Sequence, residues 1–521
     1  MATSVQHVLK ILTAHRVGLL VISNIGVWLL AAELPPTPTF PLAAAVRQAL
    51  AQSPALRVQE SEVDRREGVR EQATGEFDWV ASASASRVKE RRPVGDALGR
   101  DAVTAGDTTA YTVTAARKLR NGVVLQPSAT VGVSEHDSPA SPTFGASQLN
   151  LQIIVPLLRA LGTDSTGATE AAARGDTEVA RLLYRHALAS HAFNTAQAYW
   201  ASRATQSALL VRRDDEARAK HLHEGVRELV TAGVFPPNIL LQSESNLRQK
   251  STSSQQAELY ALDAGFRLGR LLGLTPAAMV KAIAPDQSLP LDIPVRGEPP
   301  SQELRLRWIN RAYTQRADYL AARQSEVPLR VLTRQAELDL RPRVDLNVRG
   351  GYAGLSQSNS LFAPLSQRLT GVNGEVGLAL AWPVANTYQR GLLRTRRASQ
   401  RQAELSTAQL QSDIAADVCA ALEEVRLRAA TMRAAAETAV ISRNAVDQEQ
   451  RRLQTGESTV LDIINLENVL SGARLSQIDE QTGYATAVAR LRYAVGEIFT
   501  TDQPDKSFQL SDLSTPPADE K

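Results

Sequence analysis

One stretch of this chain occurs twice, and that doubling limits what the chain can become. Gly233, Leu240, Leu241, Glu244, Leu247, Leu268 and Gly273 fall, without a gap, on Gly456, Ile463, Ile464, Glu467, Leu470, Leu491 and Gly496. Self-similarity at a fixed offset marks a tandem duplication. The repeat extends upstream. Aligned on Val155-Pro156 and Trp382-Pro383, Leu149, Leu151 and Ile153 match Val376, Leu378 and Leu380, and Ala49 and Gln52 match Ala312 and Gln315. Each half therefore reads as helix, strands, then two long helices joined near a glycine. The boundaries that follow are a first repeat over 33–274, a Pro-rich linker over 275–300, a second repeat over 301–499, and a polar tail over 500–521 that is expected to be disordered.

At 521 residues the chain is long enough for several domains, but the duplication favours one double-length unit. It is poor in aromatics and rich in Ala, Leu, Gln, Glu and Arg, which suits long helices packed through small side chains. Hardly a breaker interrupts Thr169 to Ala232, a segment that would reach on the order of 95 Å as helix. It returns from Pro237 to Leu272; in the second half Gln389 to Thr455 goes out and Thr459 to Ile498 comes back. Such hairpins cannot bury their apolar stripes alone, so they should pack as coiled coil against each other and against further subunits.

Residues 1–32 carry Lys10 and Arg16, then an apolar run ending in small residues, the pattern of an export signal. No Cys follows that run, which excludes a lipoprotein anchor, and no later segment is apolar for long enough to cross a bilayer as helix. The alternating segments then decide between a soluble exported protein and a membrane barrel. Gln148 to Val155 and Val344 to Arg349 each put apolar residues on one side and polar ones on the other, and Val376, Leu378, Leu380 and Trp382 repeat the spacing. The same holds for Leu125 to Val133 and Phe77 to Ala83. A barrel wall with lipid outside and water inside requires such alternation. The competing reading is an exported structural coiled-coil envelope protein whose strands form an ordinary half-buried sheet. Asn121-Gly122 between two alternating runs predicts an extra hairpin in the first half, Tyr111 to Leu119 against Val123 to Ser134. Glu90 to Asp107 and Gly354 to Thr370 read as surface loops.

Several chemistries are excluded. A net charge of +3 without a like-charged block gives no case for nucleic acid. The single Cys419 permits no internal disulfide and no Cys-based zinc site. His221 and His223 stand two apart, so on a helix they point in different directions. No phosphate loop follows a strand and no nucleophile sits in an elbow, so no catalytic residue, cofactor or metal site is expected.

Gly233 and Gly456 at the hairpin tips, Val155-Pro156-Leu157-Leu158 and Trp382-Pro383-Val384 closing strands, and Ala49-Leu50-Ala51-Gln52-Ser53-Pro54 opening a helix make the chain resemble the TolC-like outer-membrane efflux proteins from Phe40 to Phe499. The resemblance implies a mostly α protein with a β-barrel: a homotrimer whose strands form one transmembrane barrel in outer-membrane lipid and whose helices form a coiled-coil tunnel in the periplasm. It also implies a passive duct, for efflux or type I secretion, that meets a periplasmic adaptor and an inner-membrane RND or ABC pump. In the family two acids beyond the second tip constrict the tunnel; here Asp462 matches the first and Asn465 stands in place of the second. Leu229, Gly233, Leu453 and Gly456 are the expected adaptor-contacting residues. The family expectation is four strands per chain, whereas counting the extra hairpin gives six.

Overall fold

Four glycines with left-handed backbone punctuate the duplication: Gly233 and Gly456 at the outer turns (φ 73° and 77°), Gly273 and Gly496 where the helices return (φ 69° and 88°). Glycine reaches that conformation without the Cβ penalty of other residues. The computed structural model describes residues 39–95, 101–136, 143–279, 284–285, 287–290, 299–357, 364, 371–500, 509–510 and 512–517, and the expected export signal lies outside them.

The first half runs β1 (Thr39–Phe40), α1 (Leu42–Gln52), α2 (Pro54–Gly75), β2 (Val80–Gly95), β3 (Asp101–Lys118), β4 (Val124–His136), β5 (Phe144–Pro156), α3 (Thr163–Thr166), α4 (Ala168–Thr231) and α5 (Asn238–Leu271). After α6 (Pro276–Met279) and β6 (Ala284–Pro285), the second half runs α7 (Gln302–Gln315), α8 (Ala317–Leu338), β7 (Arg343–Ser356), β8 (Gly371–Ala381), α9 (Thr387–Gln454) and α10 (Val460–Val495). Short β9 (Phe499–Thr500) and β10 (Gln509–Leu510) pair antiparallel, and β1 pairs in parallel with β6.

The 64 residues of α4 and the 68 of α9 make shafts of roughly 95–100 Å. Each repeat folds its short helix onto its own hairpin. In the first, Val46 and Ala49 of α1 join Leu188, Tyr199, Trp200 and Leu268. In the second, Trp308 and Ala312 of α7 join Ile414, Val418, Tyr484 and Val488. The returning glycines seat against equivalent points: a Cβ on Gly273 would lie 2.6 Å from the Gln52 carbonyl, and one on Gly496 3.0 Å from the Arg316 nitrogen, beside Gln315. Gln52 and Gln315 are the residues that sequence alignment pairs, so the duplication is built into contacts. Gly175 of α4 likewise lets the Pro328 ring of α8 approach, a Cβ there lying 3.1 Å from Pro328 Cδ. Within the polar tail, Leu513 is buried in the first core and Arg492 donates to the Thr515 carbonyl at 2.7 Å, so this part of the expected disordered segment is packed.

The strands form one six-stranded antiparallel sheet in the order β2-β3-β4-β5-β7-β8, four strands from the first half and two from the second. The extra hairpin is thus part of the same sheet, continuous with the other strands. The segment Glu90 to Asp107, expected as a loop, is mostly strand, since β2 runs on to Gly95 and β3 begins at Asp101. The expected start of a strand at Phe77 is also corrected: Phe77 is buried under the Arg120 guanidinium, and β2 begins at Val80.

Candidate functional site

Every second residue of the sheet belongs to one face, and the register shows what each face is made of. One row crosses Ala83, Val113, Ala129, Leu149, Tyr352 and Val372, each the partner of the next. Neighbouring rows on that face add Leu125, Val131, Ile153, Leu346, Val348, Val376, Leu378 and Leu380. The opposite face carries Ser82, Ser84 and Ser86, Thr112 against Thr130, Gln148, Asn150 and Gln152, and Asn373 and Glu375. On it Arg349 bridges to Glu375 at 3.3 Å and to Gln152 at 3.4 Å.

A sheet in a soluble core would hide its apolar face. Here Val376 and Leu378 are 75% and 68% exposed, and among the described residues no long helix packs across the sheet. The apolar rows on β4 run from Leu125 to Val133, roughly 27 Å along the strand, which a tilted strand converts to about the height of a bilayer's apolar band. Trp79 and Trp382 stand exposed at the helical end of the two outermost strands, the position of an interfacial aromatic girdle.

At the far end of the shafts the two turns are built alike. Val234 donates to the Leu229 carbonyl and Glu457 to the Arg452 carbonyl, each at 2.9 Å, closing both helices through a left-handed glycine. Leu229 and Leu453 are one step out of register: Leu229 is exposed, whereas Leu453 joins Val226, Val230, Phe235, Ile239, Val460 and Ile464 in a cluster that ties the two tips together. Asp462 is the third residue of α10 and closes a capping box. Its backbone donates to the Thr459 hydroxyl oxygen at 3.3 Å, and its carboxylate accepts from the Thr459 backbone at 3.2 Å. Asn465 lies one turn on, and both side chains are exposed.

One assembly escaped sequence reasoning. Midway along the shaft, Asp214, Asp215 and Arg218 of α4, Lys250 of α5, and Glu467, Ser471 and Arg474 of α10 converge, with Asp215 and Glu467 buried and Asp214 half exposed. Arg474 meets Asp214 at 2.7 Å, Lys250 donates to Asn468 at 2.7 Å, Arg212 donates to Ser471 at 3.0 Å, and Asp215 accepts from both Ser471 and Arg218. Burial opposes the Asp214 charge, but Arg474 and Arg218 outweigh it and hold that carboxyl below its ordinary range. Burial prevails at Glu467, pushing its carboxyl up, and at Lys250, pushing its ammonium down. Glu467 is 5% exposed, while its repeat partner Glu244 pairs with Arg248 on the open surface, so the duplicated position serves an inner helix in one copy and an outer one in the other. The signal was present as Asp and Arg at helical spacing, but that pattern also describes a solvated face.

Among the described residues no three His, Cys, Asp or Glu side chains gather as a metal site. Cys419 is half-buried on α9.

Residues 308–497 match the family model described as Outer membrane efflux protein, which covers the second repeat. No curated protein sequence matches the chain. Among solved structures, the CmeC outer membrane channel of Campylobacter jejuni superposes with a TM-score of 0.67 at 13% identity, covering 89% of this chain and 87% of that one. The outer membrane protein VceC of Vibrio cholerae gives 0.65 at 16%, covering 87% and 96%, and the outer-membrane channel OprN gives 0.64 at 17%, covering 88% and 90%. At these identities the shared property is the fold, and the coverage extends it over both repeats.

Proposed function

We propose that this chain, which belongs to the TolC-like outer-membrane efflux proteins, is the passive exit duct of an efflux or secretion system. Proteins of this family are channels rather than enzymes; they lie in the outer membrane with their helices in the periplasm. The observation that carries the reading is the uncovered apolar face of the six-stranded sheet, opposite a face of hydroxyls and amides, on shafts of roughly 100 Å. In lipid an open sheet edge is untenable, since each unpaired backbone group costs several kcal/mol. Three copies therefore close one barrel and align their hairpins as one tunnel. Energy and most specificity come from an inner-membrane RND or ABC pump, reached through a periplasmic adaptor that docks on the tips around Gly233 and Gly456.

The gate belongs to the same proposal. A threefold axis brings three copies of the exposed Asp462 carboxylate together, with Asn465 one turn above, where divalent cations would collect. The test is single-channel conductance in planar bilayers: stepwise, cation-selective openings are expected, with divalent block lost in Asp462→Ala. Release of the protein from membranes by salt or alkaline wash alone would overturn the duct. Unchanged divalent sensitivity in Asp462→Ala would overturn the gate. For the tips, Thr231→Cys and Gln454→Cys should crosslink to an adaptor while mid-shaft cysteines do not.

A further inference from the structure

Among the described residues, the outermost strands of the sheet, β2 and β8, each pair on one side only. We propose that they are each other's partners in adjacent copies, in the register Val80 opposite Ala381, closing an eighteen-stranded wall. This rests on the trimeric reading above and adds to it the strand number and the seam.

Direction and faces come first. β2 leaves the helical end of the sheet and β8 returns to it, so side by side they are antiparallel. The apolar face of β2 carries Ala81, Ala83 and Ala85, and that of β8 carries Val376, Leu378 and Leu380. Keeping these on one side requires an even shift around each chain.

Barrel geometry narrows the choice. The row that starts at Ala83 ends at Val372 after crossing all six strands. In the proposed register Val372 faces Lys89 of the next copy, six residues beyond Ala83. A rise of six residues over six strands, at ~3.3 Å per residue and ~4.8 Å per strand, gives a tilt of about 35°. Known barrels tilt by about 35–45°. A shift of four gives about 25°, which falls outside that range; a shift of eight gives about 42°, which falls inside it.

Two features of the edges choose six. The first residue of β2, Val80, then meets the last residue of β8, Ala381, so the ladders begin together. Trp79 and Trp382, exposed by 51% and 66% in the single chain, then stand opposite each other at the interface with the headgroups. A shift of eight would set Trp79 against Val384, beyond the strand. Because diameter grows about linearly with strand number, the wall is roughly half as wide again as a twelve-stranded one.

Disulfide mapping in a Cys419→Ser background tests the seam. Ala83→Cys with Leu378→Cys, and independently Ser84→Cys with Gly377→Cys, should link chains into covalent trimers in detergent extracts. Within one chain these positions lie about 24 Å apart across the sheet, so any bond must join two copies. Pairs displaced by two residues, Ala83→Cys with Val376→Cys or with Leu380→Cys, should link several-fold less, because diagonal Cβ atoms are ~7–8 Å apart and a disulfide needs about 4 Å. Maximal linkage in a displaced pair would overturn the register. Linkage of Leu378→Cys to cysteines on β4, with β2 silent, would overturn the six-strand wall while leaving a trimeric duct. Unlinked monomers in native mass measurements would sink both.

Discussion

At the scale of single residues, the tip and the shaft use carboxylates in opposite ways. Asp462 closes a capping box with Thr459, so Thr459→Ala and Asp462→Ala should each weaken the first turn of α10 by about 1 kcal/mol. Hydrogen exchange over residues 460–464 should quicken alike in both variants, whereas the divalent response should change only when the charge is removed. Glu467 is raised by burial, with Arg218 and Lys250 opposing. Its folded form therefore holds a proton more tightly than the unfolded chain, and stability falls as pH rises from the ordinary carboxylate range through the raised value. Glu467→Gln should match or exceed the wild-type melting temperature at neutral pH, with the gap closing on acidification. A lower neutral melting temperature would show that Arg218 and Lys250 need the charge. Sequence alone placed Asp462 at a helix start but could not see that Glu467 is buried, because burial depends on which hairpin lies inside.

At the scale of elements, the helices were legible and the strands only in part. A left-handed glycine ends each of α4, α5, α9 and α10 within a few residues of where breakers predict, because glycine adopts that conformation without a Cβ penalty. The Gly, Pro and charged residues between Glu90 and Asp107 suggest a loop, but β2 and β3 pair with each other along this stretch, which local composition does not reveal. The four glycines offer a graded test. Alanine at Gly233 or Gly456 meets open space and should cost about 1–2 kcal/mol from the left-handed backbone alone. Alanine at Gly273 or Gly496 must also displace α1 or the α7–α8 corner, and should cost more in thermal melts. Equal losses at all four would mean that these close approaches are not structurally important.

At the scale of the whole molecule, the described residues of one chain leave an apolar sheet face open to solvent, unpaired outer edges on β2 and β8, and shafts exposing Leu210, Leu241, Ile441 and Val469 at 58–68%. Assembly about the proposed threefold axis would pair the strand edges and cover the shaft faces in one operation, while outer-membrane lipid would cover the apolar sheet face. In the proposed tunnel the duplicated halves would alternate around the axis, in keeping with the different environments of Glu244 and Glu467. The most direct test is a cryo-electron microscopy map of the detergent-extracted protein. It should show three copies around one axis, with a continuous wall of strands opening into a hollow sheath of helices. A particle containing one chain, with its sheet folded against its own helices and no central lumen, would contradict the account.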